Sequence, residues 1–99
     1  VLVCISTHIC STCVDSKAAA AAVSVVGNDN VIREFNPTMG AEDFSYLLNE
    51  RPGCYAFIGQ AGGPSSSSVH HPLYDFHDGL IPLGASWFVN VVESRMPMT

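Results

Sequence analysis

The hydrophobic positions of the chain form short runs whose spacing predicts alternating strands and helices. Residues 1–14 are rich in Val, Ile, Thr and Cys, which favours a strand, although their apolar and polar positions alternate poorly. The alanine-rich segment 17–26 is predicted to be a helix because alanine is the best helix former, and Ser16 can cap it. Gly27 lies where a glycine commonly follows a helix, so we expect the helix to end there.

Two further strands are predicted from apolar runs bounded by turn residues. Residues 31–35 form a short run that stops before Pro37, because proline cannot donate a hydrogen bond to a sheet. Residues 54–59 form a continuous apolar run bounded by glycines, which is typical of a fully buried strand in an α/β sheet.

Two further helices are predicted from apolar residues at helical spacing. The first starts near Ala41, and its buried face would contain Phe44, Leu47 and Leu48. The second is capped by Asp78, has Pro82 in its first turn and ends before Pro97. Its apolar face would contain Leu83, Trp87, Phe88, Val91 and Val92. The resulting order, strand–helix–strand–helix–strand–helix, predicts an α/β layer.

The composition is that of a small, apolar and weakly charged chain. Its 99 residues allow one small domain. Hydrophobic residues make up 47% and charged residues 13%, against a typical charged share of about 25%. We therefore expect a missing domain or a partner to cover part of the surface. The net charge of −5, with four Lys plus Arg, makes nucleic acid and anionic membranes poor candidate partners, and no apolar run approaches the ~18 residues that span a membrane.

The N-terminal segment and the cysteines carry weaker signals. The opening VLVCISTHIC lacks the basic region and the cleavage site of a signal peptide, so we expect a cytoplasmic protein. Cys10 and Cys13 form a CxxC pair that, with His8, suggests half of a zinc site, but no second pair follows. The cysteines are therefore expected to be free thiols, and neither a zinc knuckle nor a disulfide framework is favoured.

Metal-capable side chains are concentrated in the segment 69–82, VHHPLYDFHDGLIP. It contains three of the four histidines and two aspartates: His70, His71, His77, Asp75 and Asp78. Neutral imidazole is a common metal ligand, and a nearby carboxylate can orient its second ring nitrogen. The alternative is that adjacent histidines in a loop are solvated surface residues. The segment follows the strand predicted at 54–59, and ligands of open α/β sheets bind beyond the carboxyl ends of strands.

Glu42 and Asp43 begin the helix predicted near Ala41. Negative charge is favoured at a helix N-terminus, and this effect alone accounts for both acids. Adjacent helical positions point in different directions, so the two carboxylates do not form a ready acid–base pair.

Four motifs, taken in order, together resemble a known enzyme family. They are MGAEDFSY at 39–46, PGCYAFIG at 52–59, VHHPLYDF at 69–76 and LGAS at 83–86. With this spacing they resemble the C-terminal part of the catalytic domain of M20 metal-dependent aminoacylases and carboxypeptidases. The most similar branch contains hippurate hydrolase, auxin-conjugate hydrolases and N-acetyl-diaminopimelate deacetylase. The resemblance assigns residues 17–99 to that domain, without its inserted lid and dimerisation domain, and leaves residues 1–16 unmatched.

The resemblance also implies which side chains serve the metal site. The first histidine of the family's L-H-x-P motif is a metal ligand, and it corresponds to His70. His71 occupies the variable position, and in an extended loop it would point to the opposite side. His71, Asp75 and Glu42 are expected in substrate contact or in the shell around the metal ligands. His77 stands where the family usually has Asn, which suggests a hydrogen-bonding role.

The activity that the resemblance implies is hydrolysis of the amide bond of N-acetyl or N-aroyl amino acids. Two divalent ions (Zn, Mn, Co or Ni) would polarise the amide carbonyl and lower the pKa of a bridging water. In the family the general base and most metal ligands lie upstream, so the chain alone is expected to be inactive. The implied fold is part of a zinc-peptidase-like layer that packs on the rest of its catalytic domain, and a homodimer would form through the missing lid domain.

Two other functions stay open from the residues alone. The chain could be a non-catalytic α/β module that keeps the scaffold with at most weak metal binding. A thiol enzyme that pairs Cys54 with a histidine is disfavoured, because Cys54 opens a buried strand with only Arg51 as a nearby positive charge.

Overall fold

The computed structural model describes residues 2–6, 12–33, 41–60 and 67–98 as a mixture of strands and helices, as predicted. The elements are β1 (Leu2–Ser6), α1 (Thr12–Val26), β2 (Val31–Ile32), α2 (Phe44–Glu50), β3 (Tyr55–Gly59) and α3 (Ile81–Arg95). Short 3₁₀ turns at Asn28–Asn30 and Asp78–Leu80 precede β2 and α3. None of the described helices is long and apolar enough to cross a membrane.

The three described strands form one sheet in the order β2-β1-β3. β1 and β2 are parallel, with Val3 opposite Val31, and α1 forms the crossover between them. β3 is antiparallel to β1, and their pairing begins with Leu2 opposite Gly59. Within the described sheet β1 is therefore central and β3 lies at an edge.

β3 is half-buried, although its apolar sequence predicted burial on both faces. Ala56 and Ile58 pack against the core, whereas Phe57 is 40% exposed. Tyr55 and Phe57 share this second face because alternate strand residues point the same way, and their ring centroids are 4.9 Å apart. The prediction was wrong because an apolar run does not reveal whether a second layer covers the strand.

The core is built on small side chains of α1. Ala18, Ala19 and Ala22 are each at most 5% exposed, and they cluster with Val31 of β2. Half-buried residues complete the cluster: Val23, Val26, Cys54, Ala56, Ile58, Leu83 and Trp87. The indole N–H of Trp87 donates a hydrogen bond to the Ala18 carbonyl oxygen at 3.0 Å, which ties α3 to α1.

α1 begins at Thr12, so its predicted start at Lys17 is wrong and Ser16 lies inside the helix. Residues 12–16 were not predicted as helix because they are weaker helix formers than the alanines that follow. The predicted end is confirmed, since Gly27 has a φ of 85° and its N–H donates to the Val23 carbonyl at 2.8 Å. A left-handed conformation favours glycine at this position.

α2 begins at Phe44, later than predicted, with Asp43 at its N-cap position. Glu42 lies in the preceding turn, where its carbonyl oxygen accepts the Ser45 N–H at 3.0 Å. The predicted buried face is only partly correct, because Phe44 is half-buried but Leu47 is 62% exposed. So short a helix contacts the end of the sheet along one narrow side, and Leu47 lies off that side.

α3 is not capped by Asp78, contrary to the prediction. Asp78 lies in the 3₁₀ turn before the helix, and no side-chain hydrogen bond caps the helix start at Ile81. Pro82 occupies the first turn as predicted, where its missing N–H removes no helical hydrogen bond. The helix ends at Arg95, before Pro97.

Only part of the apolar face predicted for α3 is buried. Leu83 and Trp87 pack against the alanine cluster, whereas Phe88 and Val92 are 64% and 49% exposed. The described core covers a narrow stripe of the helix, and the apolar residues extend beyond that stripe.

Several predicted features lie outside the described residues. β2 covers Val31–Ile32 of the strand predicted at 31–35, and residues 34 and 35 are not described. Of residues 1–14, Leu2–Ser6 form β1, while residues 7–11, which include His8 and Cys10, are not described. The expectations about zinc and disulfides at the CxxC pair therefore stay predictions.

Candidate metal-ligand loop

The predicted metal ligand lies in an irregular segment, residues 67–80, hereafter the His loop. The loop leads from the carboxyl-end side of β3 to the start of α3. Two consecutive turns shape it, because the His71 N–H donates to the Ser68 carbonyl at 3.2 Å and the Tyr74 N–H donates to the His71 carbonyl at 2.9 Å. The loop therefore has a defined backbone although it contains no strand or α-helix.

His70 has a backbone conformation that L-residues rarely adopt. Its φ is 68°, and no other non-glycine residue in the described part of the chain has a positive φ. This conformation costs about 1–2 kcal/mol, because Cβ comes close to the following carbonyl oxygen. The turn closed by the His71 N–H contains His70, so the extended backbone predicted for this pair is wrong and strand-like alternation does not apply.

The imidazole of His70 is exposed and has no hydrogen-bond partner among the described residues. A neutral imidazole offers one lone pair to a metal ion. Strained backbone positions cluster at functional sites, where surrounding contacts maintain them. His70 thus combines a strained backbone with an accessible ligand atom.

His71 uses its ring to hold the loop. Its Nδ1 accepts the Leu73 N–H at 3.1 Å, so in the neutral ring the proton is on Nε2. A metal ion could bind Nε2 only after the proton moved to Nδ1, which would break the bond to Leu73. The two adjacent histidines therefore differ in what their rings can offer.

Gln60, which the sequence did not single out, anchors the His loop to the end of β3. Its Oε1 accepts hydrogen bonds from the Tyr74 hydroxyl at 3.1 Å and from the His77 backbone N–H at 3.3 Å. Its Nε2 donates to the Asp75 carbonyl oxygen at 3.0 Å. Its position directly after a strand was a visible signal, but an amide has no metal or acid–base chemistry that would draw attention to it.

His77 contributes its backbone rather than its ring to this network. Its Nδ1 is buried and has no hydrogen-bond partner within the described residues. Its Nε2 packs on Gly79, where an added Cβ would come within 3.1 Å. The hydrogen bond to Gln60 comes from the His77 N–H, so any residue except proline could supply it.

Glu42 connects the other end of β3, at Tyr55, to a neighbouring segment through side-chain hydrogen bonds, as Gln60 does at the His loop. The Tyr55 hydroxyl donates to Glu42 Oε2 at 3.0 Å, and Glu42 Oε1 accepts the Phe44 N–H at 3.3 Å. The hydrogen bond to Glu42 raises the pKa of Tyr55 above 10.0, and burial and the negative charge of the carboxylate act in the same direction. The carboxylate thus joins the start of α2 to β3.

Three of the four candidate residues lie in the His loop, and the fourth lies elsewhere. His70, His71 and Asp75 share the His loop at the carboxyl end of β3, whereas Glu42 lies at the Tyr55 end. A strand of this length extends over about 17 Å, so β3 separates Glu42 from the loop. The carboxylate of Asp75 is exposed, while its carbonyl oxygen is held by the anchoring amide.

Cys54 lies at the Tyr55 end and packs against the alanine cluster as a half-buried thiol. A nucleophilic cysteine needs an accessible, electropositive setting. The described residues therefore give no support to the thiol-enzyme alternative.

The comparison with known families agrees with the four motifs. A profile of the family described as "Peptidase family M20/M25/M40" matches residues 9–94. The chain belongs to this family. The resemblance predicted from the motifs is thus confirmed. The assignment of residues 17–99 to the catalytic domain, with residues 1–16 unmatched, stays a prediction.

Curated relatives of this M20 chain come from Arabidopsis thaliana. IAA-amino acid hydrolase ILR1-like 4 is 36% identical over 64 residues, which cover 63% of this chain and 14% of the relative. IAA-amino acid hydrolase ILR1-like 2 is 39% identical over 54 residues, which cover 54% of this chain and 12% of the relative. IAA-amino acid hydrolase ILR1-like 5 is 32% identical over 66 residues, which cover 65% of this chain and 15% of the relative. The matched part spans about one seventh of these relatives, and no solved structure matches the chain.

M20 proteins are generally metal-dependent, and the described part of this M20 chain offers one suitable imidazole. Among these residues no three His, Cys, Asp or Glu side chains form a group that could hold a metal ion. His70 fits as a single ligand because its ring is exposed, whereas the ring of His71 is engaged by the Leu73 N–H. Catalytic zinc sites use about three protein ligands, so a site that contained His70 would need further ligands from outside the described residues.

Proposed function

We propose that the chain is part of a metal-dependent amidohydrolase that cleaves the amide bond of N-acyl amino acids. The observation that carries this proposal is the exposed, left-handed His70 in a chain of the M20 family. The relatives named as IAA-amino acid hydrolases support an amino acid conjugate as the substrate class. N-acetyl and N-aroyl amino acids are the proposed substrates.

His70 is the proposed metal ligand, and His71 holds the turn that presents it. The hydrogen bond from the Leu73 N–H occupies the only lone pair of a neutral His71 ring, which supports His70 over His71. When bound, two divalent ions drawn from Zn, Mn, Co and Ni supply polarisation of the amide carbonyl and activation of water.

Asp75 and Glu42 have different proposed roles because they lie at opposite ends of β3. The exposed carboxylate of Asp75 shares the His loop with His70, which supports substrate contact. The carboxylate of Glu42 is already engaged by Tyr55 and by the Phe44 N–H, which supports an indirect role.

The remainder of the catalytic domain is the proposed partner of the exposed apolar surfaces. On α2, Tyr46 and Leu47 are 73% and 62% exposed, and on α3, Phe88 and Val89 are 64% and 53% exposed. Large apolar side chains exposed on two helices are candidates for such an interface. The greater length of the curated relatives supports a partner within the same protein.

The test uses the complete protein, with this chain joined to the upstream sequence of its own gene. Bound metal and hydrolysis of N-acetyl and N-benzoyl amino acids are measured for the wild type, His70→Ala, His71→Ala and His77→Asn. We expect His70→Ala to lose most metal at one site and nearly all turnover. His71→Ala and His77→Asn should keep the metal, since neither ring supplies a ligand.

The isolated 99-residue chain serves as the negative control, because a single imidazole cannot hold a catalytic metal. Metal-dependent turnover by that chain would contradict the proposal. Loss of metal from His71→Ala with retention in His70→Ala would show that the ligand is misassigned. A complete protein that binds no metal and hydrolyses no substrate would favour the non-catalytic α/β module.

A further inference from the structure

Gln60 occupies the junction between β3 and the His loop. It directly follows the last residue of β3, and its side chain is half-buried. Three of the four hydrogen-bonding positions of its amide are used, and all three bonds go to residues 74–77. An amide with three bonds to one segment has one orientation, so it determines where that segment lies relative to the sheet.

The hydrogen bonds of Gln60 continue through the loop to His70. Tyr74, whose hydroxyl binds the Gln60 amide, donates its backbone N–H to the His71 carbonyl oxygen. His71 donates its own N–H to the Ser68 carbonyl oxygen, and this bond closes the turn that contains His70. The path from Gln60 to His70 therefore runs through hydrogen bonds and through the covalent structure of residues 70–74.

The conformation of His70 requires support from beyond its own turn. Strain at a non-glycine residue with φ of 68° persists only where surrounding contacts determine the backbone. Apolar packing gives the loop little support, because Val69, Leu73 and Phe76 are 62%, 74% and 72% exposed. The polar contacts of Gln60 take the place of that packing.

We propose that Gln60 is a positioning residue that holds the His loop in the backbone conformation that presents His70 for metal binding. The metal-binding part of this inference rests on the proposed function, whereas the structural part does not. An amide suits the task because it accepts and donates at the same time and adds no charge beside a metal ligand.

The experiment compares Gln60→Leu, Gln60→Glu and Tyr74→Phe with the wild-type complete protein. Leucine removes all three bonds, glutamate keeps the accepting oxygen and loses the donor, and Tyr74→Phe removes one bond. Ser94→Ala is the control, because it removes one side-chain hydrogen bond, from the Ser94 hydroxyl to the Val91 carbonyl oxygen on α3, away from the His loop. The readouts are hydrogen exchange of the His loop and of α1, zinc affinity, and kcat and KM.

We expect Gln60→Leu to speed hydrogen exchange in the His loop about tenfold while exchange in α1 stays unchanged. Zinc affinity should fall about 10–100-fold, the usual effect of losing a residue that orients a metal ligand. The loss should appear in kcat and leave KM near its wild-type value, because Gln60 does not contact substrate. Tyr74→Phe should change the same readouts less, Gln60→Glu should restore most of the exchange protection, and Ser94→Ala should change none.

Unchanged loop exchange in Gln60→Leu would overturn the inference. Faster exchange with wild-type zinc affinity would also overturn it, because Gln60 would then fasten the loop without positioning a ligand. If α1 exchange also rises in Gln60→Leu, the fold has been lost and Tyr74→Phe decides by the same criteria. A wild-type protein that binds no zinc refutes the proposed function, and loop exchange alone then decides whether Gln60 holds the loop.

Discussion

Each end of β3 is tied to a neighbouring segment by one polar side chain, but the two ties have different electrostatic consequences. At one end the Glu42 carboxylate accepts the Tyr55 hydroxyl and raises the pKa of that phenol. At the other end the neutral Gln60 amide forms three hydrogen bonds to the His loop. A carboxylate changes the protonation of the group it binds, whereas an amide determines position without adding charge.

This difference fits what each end holds. The Tyr55 end joins α2 to the sheet, where a shifted phenol pKa has no consequence at neutral pH. The Gln60 end holds the loop that contains His70, where the position of the backbone determines how the imidazole is presented. The uncharged tie therefore lies where ligand chemistry is proposed.

The largest expected effect is that of a substitution at Trp87, because Trp87 packs in the same cluster as β3 and both ends of β3 depend on that packing. Trp87 packs with Ile58 and Ala56 around the alanine cluster and donates to the Ala18 carbonyl. We expect Trp87→Ala to reduce the free energy of unfolding by about 3 kcal/mol, measured by urea denaturation of the chain. Trp87→Phe, which keeps a ring, should lose about half as much, and equal losses in the two variants would contradict this account.

The backbone strain at the His loop can be separated from ligation by two substitutions at His70. Both His70→Gly and His70→Ala remove the imidazole, but only glycine adopts a φ of 68° without strain. We expect the free energy of unfolding of the glycine variant to be about 1 kcal/mol higher than that of the alanine variant, so that the glycine variant is the more stable. Equal stabilities in urea denaturation would mean that the left-handed conformation is not maintained in solution.

The substitution Tyr55→Phe tests the contact between Glu42 and Tyr55 at the other end of β3. This change removes the hydrogen bond to Glu42 and keeps the ring contacts with Phe44 and Phe57. We expect a loss of about 1 kcal/mol in the free energy of unfolding, with hydrogen exchange in the His loop unchanged. Faster exchange in the loop would show that the two ends are coupled through β3 rather than independent.

The smallest expected effect is on the alkaline titration of Tyr55. Its pKa in the folded chain lies above 10.0, so the protonated phenol stabilises the fold. This contribution is complete below pH 10 and is lost as the pH rises through the raised pKa. Glu42→Gln should lower the pKa of Tyr55 towards 10.0, measured as tyrosinate absorbance relative to Tyr55→Phe. An unchanged titration in Glu42→Gln would exclude the carboxylate as the cause.

Local rules predicted the fold where a single backbone conformation decides the outcome. Gly27 ends α1 because its φ is positive, and Pro82 lies in a first turn because it lacks an N–H. The rules were wrong where packing decides, as on the exposed side of β3. The sequence of a strand or helix does not by itself show which other element packs against it, and so does not show which of its faces is buried.

The sequence indicated candidate site residues, which stay predictions, but it did not indicate their geometry. The histidine motif indicated His70, yet a neighbouring pair in an assumed extended loop gave the wrong backbone for it. The distinction between His70 and His71 depends on a hydrogen bond from the Leu73 N–H, which requires the turn. Gln60 was missed because its contribution comes from where it lies and not from its chemistry.

The strand order β2-β1-β3 also favours one order of assembly. β1 pairs with β2 across one helix, whereas its pairing with β3 closes a loop about twice as long, which costs about 0.6 kcal/mol more in chain entropy. The unit formed by β1, α1 and β2 can therefore form first, and β3 docks onto it afterwards. Since Gln60 joins the His loop to the end of β3, we expect the segment proposed to bind metal to be completed last, after the scaffold that must hold it has formed.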